Sequence, residues 1–131
     1  MRSERAKVAT TGWGRQLLNC HGPGGLWGGG LYIPKWTSTT YTLLLLRDCG
    51  LMPGHGRALR GVELLWDGSR FFDGGLTAAI SIDAPEACIT AMYFALAVYF
   101  RFQDPRVDKA VDWLVENQLV DGGWNSHCAF R

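Results

Sequence analysis

The sequence has almost no net charge, no long apolar run and no closely spaced pair of cysteines. Its formal net charge is +1, so it offers no basic field for a nucleic-acid partner. No stretch reaches the ~18 apolar residues of a transmembrane helix, and the N-terminus lacks an apolar core of signal-peptide length. The four cysteines, Cys20, Cys49, Cys88 and Cys128, include no CxxC motif. We therefore expect a cytoplasmic protein with reduced, buried cysteines, no nucleic-acid partner and no membrane span.

Glycine and tryptophan are abundant instead, with 17 and 6 copies in 131 residues. Paired glycines recur at a step of about 49 residues, in GGLW (24–27), GGLT (74–77) and GGWN (122–125). A hydrophobic content of 47% is enough for a core. The recurrence predicts one repeat domain over residues 1–131. Its units are a partial one at 13–27 and full ones at 28–76 and 77–125.

Each full unit contains an apolar segment followed by an amphipathic one. The apolar segments are 37–50 and 86–100, and the amphipathic ones are 56–68 and 105–118. The second apolar segment is apolar all round, which predicts a helix buried on every side. Few alternating β-type runs compete. The pattern predicts an all-α fold of alternating inner and outer helices, as in an α/α solenoid or toroid.

Two residue pairs predict where helices begin. Asp83 and Glu86, with Pro85 between them, have the spacing of a capping box for the helix over 86–100. Asp104 followed by Pro105 is typical of the N-cap and first position of a helix. For the helix over 37–50, the hydroxyls near its start favour ordinary N-capping by Thr37 or Ser38, with phosphate binding at the helix amides as the alternative.

The last glycine pair belongs to a longer pattern of a basic residue, a small residue, an aromatic, Leu, Gln, Gly and Trp. These places hold Lys109, Ala110, Trp113, Leu114, Gln118, Gly122 and Trp124. The middle copy keeps Arg60, Gly61, Leu64, Leu65 and Gly74, with Leu76 in place of Trp, and the first keeps Leu17, Gly25 and Trp27, with His21 in place of Gln. We expect these residues to fasten joints between helical hairpins, because Gly permits sharp reversals and Gln can bond free groups at helix ends.

This pattern resembles the QW motif of squalene–hopene and oxidosqualene cyclases. The chain is thus similar to the terpenoid cyclase and protein prenyltransferase superfamily, including its prenyltransferase and squalene oxidase repeats. The resemblance implies an α/α toroid, partial or open here, and a polyisoprenoid ligand. An active member would be an isomerase of the cyclase type or a prenyltransferase-like transferase. The alternative is a non-catalytic α/α repeat module that binds an apolar ligand or a protein partner.

The sequence contains a complete catalytic motif neither of the cyclases nor of the prenyltransferases. Cyclases of this kind use an acid in a DxDD motif, and only Asp83 and Glu86 stand at the equivalent place, where a capping box explains them equally well. Prenyltransferases of this kind hold zinc through Asp, Cys and His. No such set is evident among Cys49, Cys88 and the histidines, so we expect neither a metal nor a cofactor.

Aromatic residues on or beside the apolar helices are the candidates for ligand binding. Trp36, Tyr41, Tyr93 and Phe94 would line an apolar pocket at the inner ends of the helices, and packing between helix layers is the alternative. Closed toroids of the superfamily take about five to seven hairpins, and this chain provides roughly two and a half. We therefore expect its apolar end to be covered either by C-terminal repeats that are missing here or by another copy of the chain in a homo-oligomer.

Overall fold

A computed structural model of the chain describes residues 2–125. Over these residues, six helices make up about half of the chain. They are α1 (Arg2–Lys7), α2 (Gly12–Asn19), α3 (Thr39–Asp48), α4 (Gly56–Gly68), α5 (Ala87–Phe100) and α6 (Pro105–Glu116). A two-stranded antiparallel sheet of β1 (Arg70–Phe72) and β2 (Gly75–Thr77) lies between α4 and α5. The fold is mainly helical, so the all-α prediction is correct only in part.

The four predicted helices correspond to α3, α4, α5 and α6. Helix α4 matches its predicted range, whereas α3 and α6 are shorter than predicted by two residues at one or both ends. Asp104 is the N-cap of α6 and its Oδ1 accepts a hydrogen bond from the Arg106 backbone N–H at 2.8 Å. The predicted Asp104–Pro105 start is therefore confirmed. Ser38 occupies the N-cap position of α3, but its side chain makes no capping hydrogen bond.

The predicted capping box of Asp83 and Glu86 is wrong. Helix α5 begins at Ala87, its N-cap is Glu86, and no side chain caps it. The Glu86 backbone N–H donates to Leu76 O at 2.9 Å, which ties the start of α5 to β2. The Glu86 carboxylate accepts from the Thr77 hydroxyl instead of turning back to the helix. Asp83 lies outside the helix and forms an ion pair with Arg70.

The hydrophobic core is centred on α5, which packs against α3, α4 and α6. The largest fully buried side chains of these helices are Leu43, Leu46, Val62, Leu65, Trp66, Ile89, Tyr93, Leu96 and Phe100. However, α5 is not buried on every side. Cys88, Ala91 and Val98 are exposed, and their spacing puts them on one stripe of the helix. The prediction of an all-round buried helix is therefore wrong.

The predictions made from composition have mixed outcomes. Cys20, Cys49 and Cys88 are exposed, so the prediction of buried cysteines is wrong for these three, and Cys128 lies outside the described residues. The structure shows no disulfide among the three. Across residues 2–125, every helix is too short or too polar to cross a bilayer.

Candidate functional site

The glycine-rich segments 24–27, 74–77 and 122–125 are here called the first, middle and third joints. The first and third joints have the same backbone conformation. Gly25 and Gly122, which hold the same place in the motif, have φ values of 83° and 87°, a region that favours glycine. Two turn hydrogen bonds recur at equivalent positions: Gly22 N to Leu26 O (2.8 Å) and Gly25 N to Gly22 O (3.0 Å) in the first joint, and Leu119 N to Gly123 O (2.8 Å) and Gly122 N to Leu119 O (2.9 Å) in the third. The two motif copies therefore fold into one and the same turn.

The tryptophans of these two joints also make the same contact. Trp27 Nε1 donates to Leu17 O at 2.7 Å, and Trp124 Nε1 donates to Leu114 O at 2.7 Å. Each indole thus bonds to the carbonyl of the leucine that the motif specifies, and helps to satisfy the end of the preceding helix. In the third joint, Gln118 Nε2 also donates to Gly122 O at 2.7 Å. The motif residues hold the turn against the helix.

The middle joint is a β-hairpin instead. Asp73 and Gly74 form its turn with φ values of 46° and 131°, and positive φ at both central positions is the pattern of a type I′ hairpin turn. Gly74 lies against Trp113, since an added Cβ would come within 2.6 Å of Trp113 Cβ. Lys109 Nζ lies 3.1 Å from Asp73 Oδ1. Lys109 and Trp113 of the third copy therefore contact the middle joint.

A threonine hydroxyl connects each of the first two joints to the apolar helix that follows. Trp27 N donates to Thr39 Oγ1 at 3.0 Å, and Leu76 N donates to Thr90 Oγ1 at 2.8 Å. Both hydroxyls are fully buried. Because a buried amide without an acceptor is costly, these bonds fix where α3 and α5 begin relative to the joints.

An apolar cavity of about 550 Å³ lies between the loops that lead into α3 and α5. Its lining residues are Leu31, Tyr32, Ile33, Gly68, Ala78, Ala79, Ile80 and Ser81. At the rim, Ile33 and Ile80 are 74% and 93% exposed. The volume falls within the range of about 300–1,000 Å³ typical of small-molecule sites. We take this cavity as the candidate functional site.

A row of three aromatic side chains adjoins the cavity. The Tyr32 and Tyr41 rings lie 5.4 Å apart with their hydroxyls at 3.0 Å, and the Trp36 ring lies 5.0 Å from that of Tyr41. The hydrogen bond with Tyr41 raises the pKa of Tyr32, and burial and the nearby Tyr41, Cys88 and Glu86 raise it further. Tyr32 is therefore a neutral phenol at physiological pH. Trp36 has a φ of 71°, an uncommon value for a residue with a side chain.

The four predicted ligand-binding aromatics fall into two groups. Trp36 and Tyr41 lie beside the cavity and contact it through Tyr32, a residue that no sequence pattern indicated. Tyr93 is fully buried between helices, with its hydroxyl 3.1 Å from Thr40 Oγ1. Burial raises the pKa of Tyr93. Phe94 is half-buried and packs against the core, so Tyr93 and Phe94 occupy the helix packing.

The two candidate acids have different surroundings. The Asp83 side chain is 84% exposed and ion-paired with Arg70, and Arg70 also donates to Ile82 O at 3.0 Å. Glu86 is half-buried and bound to the Thr77 hydroxyl. An acid that protonates a carbon–carbon double bond needs neighbouring acids and a dry cavity. Asp83 is instead exposed to water and paired with a cation.

No three metal-binding side chains among residues 2–125 are grouped so that they could hold a metal ion. Burial and the charge of Arg57 lower the pKa of His55, and its Nδ1 is buried without a hydrogen-bond partner in the described part of the chain. His127 and Cys128, the remaining candidates for zinc, lie outside the described residues.

No protein-family model, curated protein or solved structure matches this chain. The resemblance to the cyclase and prenyltransferase superfamily therefore stays a prediction from the motif residues. The geometry of the joints and of the cavity provides the basis for the functional proposal.

Proposed function

We propose that the protein is an open α/α-toroid repeat domain of the terpenoid cyclase and prenyltransferase type that binds a polyisoprenoid-like apolar chain. In this proposal α3 and α5 are inner helices, and α2, α4 and α6 are outer ones. The repeated joints support the repeat architecture. The observation that carries the function is the cavity of about 550 Å³ between the loops that enter the two inner helices.

The lining of the cavity favours an apolar ligand. Six of its eight residues are aliphatic or glycine, and the other two, Tyr32 and Ser81, carry hydroxyls. No lining residue is charged at neutral pH. Ile33 and Ile80 expose most of their surface at the rim, and a hydrocarbon chain would remove that surface from water.

The surroundings of the candidate acids favour binding over cyclisation. Asp83 is solvated and paired with Arg70, so its carboxyl group is not set up to protonate an alkene. The Glu86 carboxylate already accepts the Thr77 hydroxyl. Asp83→Asn and Glu86→Gln should therefore leave ligand binding unchanged.

The exposed stripe of α5 supports a further part of the proposal. Cys88, Ala91 and Val98 would pack against another inner helix, supplied by further repeats or by a second copy of the chain. The exposed thiols of Cys20 and Cys49 suit a reducing compartment such as the cytoplasm.

Titration with farnesene, a 15-carbon isoprenoid hydrocarbon, tests the proposal. Binding is measured by isothermal calorimetry on the wild-type protein, Ile80→Glu and Val120→Glu. Ile80 is at the cavity rim and Val120 is fully exposed near the third joint, so both substitutions place a carboxylate on the surface with little effect on folding. Loss of the Ile80 contact should weaken binding about tenfold, whereas Val120→Glu should bind like the wild type.

Three results would contradict the proposal. Absence of saturable farnesene binding, or equal weakening by both substitutions, would remove the cavity as the ligand site. A cyclised product formed from squalene, detected by gas chromatography, would contradict binding without catalysis.

A further inference from the structure

The hydroxyls of Tyr32 and Tyr41, here called the phenol pair, lie next to the apolar cavity and are held in place by the packing of their rings. Their oxygens lie 3.0 Å apart, and both side chains are half-buried. Tyr32 itself lines the cavity. The other lining hydroxyl, that of Ser81, belongs to an exposed residue, where water competes for it.

The phenol pair has one hydrogen-bond donor more than it uses. Two phenols carry two protons, and a single hydrogen bond between them uses one. Whichever hydroxyl donates within the pair, one O–H is left for another acceptor. Among the hydrogen bonds of residues 2–125, none runs from either hydroxyl to a different protein acceptor. A donor at the wall of an apolar cavity is a means of orienting a ligand that has one polar atom.

The cavity lining selects the kind of acceptor. It contains no lysine, arginine or histidine, so an anionic ligand group would leave water there without gaining a cation. A neutral oxygen avoids this desolvation cost and still accepts the phenol proton.

We infer that the phenol pair binds a neutral oxygen at one end of the apolar ligand, which makes the ligand an isoprenoid alcohol, ether or carbonyl compound and not a diphosphate. This inference rests on the proposed function and adds the chemical class of the ligand. The Trp36 ring packs against that of Tyr41 at a tilt of 50°, with 5.0 Å between the ring centroids.

The test compares farnesol with farnesene, which shares its carbon skeleton but lacks the hydroxyl. Calorimetric titrations are made on the wild-type protein, Tyr32→Phe and Tyr41→Phe. Tyr32→Phe should weaken farnesol binding about two- to twelvefold, the factor that one net hydrogen bond gives, and leave farnesene binding unchanged. Tyr41→Phe should retain most of the farnesol affinity, because Tyr32 keeps its own proton.

Tyr99→Phe is the matched control. Tyr99 lies near the other end of α5 and donates to Leu51 O at 2.8 Å, so its phenol has no part in the cavity. It should change neither affinity. Thermal unfolding of all variants shows whether each is folded at the temperature of the titration.

The outcomes separate the inference from the proposed function. If farnesene binds and Tyr32→Phe affects farnesol and farnesene equally, or neither, the inference is wrong and the apolar site stands. Tighter binding of farnesyl diphosphate than of farnesol would also overturn the neutral-oxygen assignment. If farnesene does not bind, the proposed function fails, and the inference that rests on it fails with it.

Discussion

Trp27 and Trp124 make the same hydrogen bond in two copies of the joint but differ in burial. Trp27 is 1% exposed and Trp124 is 46% exposed. Leucine is a suitable replacement for both, because Leu76 occupies the equivalent place in the middle joint. A comparison of Trp27→Leu with Trp124→Leu therefore separates the value of the hydrogen bond from that of packing.

Trp27→Leu should lower the free energy of unfolding by about 2–4 kcal/mol. The substitution removes the donor to Leu17 O, and such a loss costs roughly 1–3 kcal/mol at a buried site. It also leaves space beside α4; for comparison, truncation of a buried Trp all the way to Ala generally costs about 3–5 kcal/mol. The ring is closely packed there, since a Cβ on Gly61 would lie 3.0 Å from it. Trp124→Leu should cost about 1 kcal/mol, because half of that ring contacts only solvent.

Urea unfolding followed by far-UV circular dichroism gives both values, since tryptophan fluorescence would change with the substitution itself. Equal m-values across the variants would show that the unfolding transition is the same. If Trp124→Leu costs as much as Trp27→Leu, the burial argument is refuted. Such a result would mean that the third joint is covered in solution, and sedimentation velocity would show whether a second copy covers it.

Three further predictions concern the joints and His55. Thr90→Val should lower stability by about 1–3 kcal/mol in urea unfolding, because it leaves the buried Leu76 N–H without an acceptor; an unchanged midpoint would contradict this. Gly74→Ala should destabilise more than Gly122→Ala. At position 122 an added Cβ meets backbone strain of about 1–2 kcal/mol but no atom closer than 4.0 Å, so the reverse order would refute the packing at Gly74. The pKa of His55 in the folded state is lowered from its ordinary value of 6.5. As the pH drops, the unfolded state therefore protonates this histidine before the folded state does, and stability falls below about pH 6.5. His55→Gln should reduce that fall in melting temperature between pH 7.5 and 5.5, and an identical fall would contradict the assignment.

The positions of the main helices could be predicted because local patterns determine them. The amphipathic periodicity of α4 and α6 and the cap at Asp104 depend on neighbours along the chain. The hairpin at 70–77 was missed although Asp73 and Gly74 are a typical hairpin pair. Alignment with the other joints favoured a turn like theirs, but Leu76 has no N–H on its side chain to bond the preceding helix, and residues 70–72 pair with residues 75–77 instead.

The candidate site was only partly predictable for a physical reason. An all-apolar helix such as α5 has no polar face to show which side is buried, so Tyr93 could not be assigned to the packing and Val98 to the surface. Tyr32 lies in a loop whose shape depends on the left-handed Trp36 and on contacts with α3. Neither feature can be deduced from the residue types in that loop.

The joints determine where the cavity is, although their tryptophans do not line it. The chain between Trp27 and Thr39 is fixed at both ends by one hydrogen bond, and the chain between Leu76 and Thr90 is fixed in the same way. The segments 28–38 and 77–89, which include the loops that lead into α3 and α5, contain all but one of the residues that line the cavity. A substitution that loosens a joint should therefore change the shape of the cavity without contacting the ligand. The motif would then be essential for the proposed binding, because it sets the distance between the two loops that form the walls of the cavity.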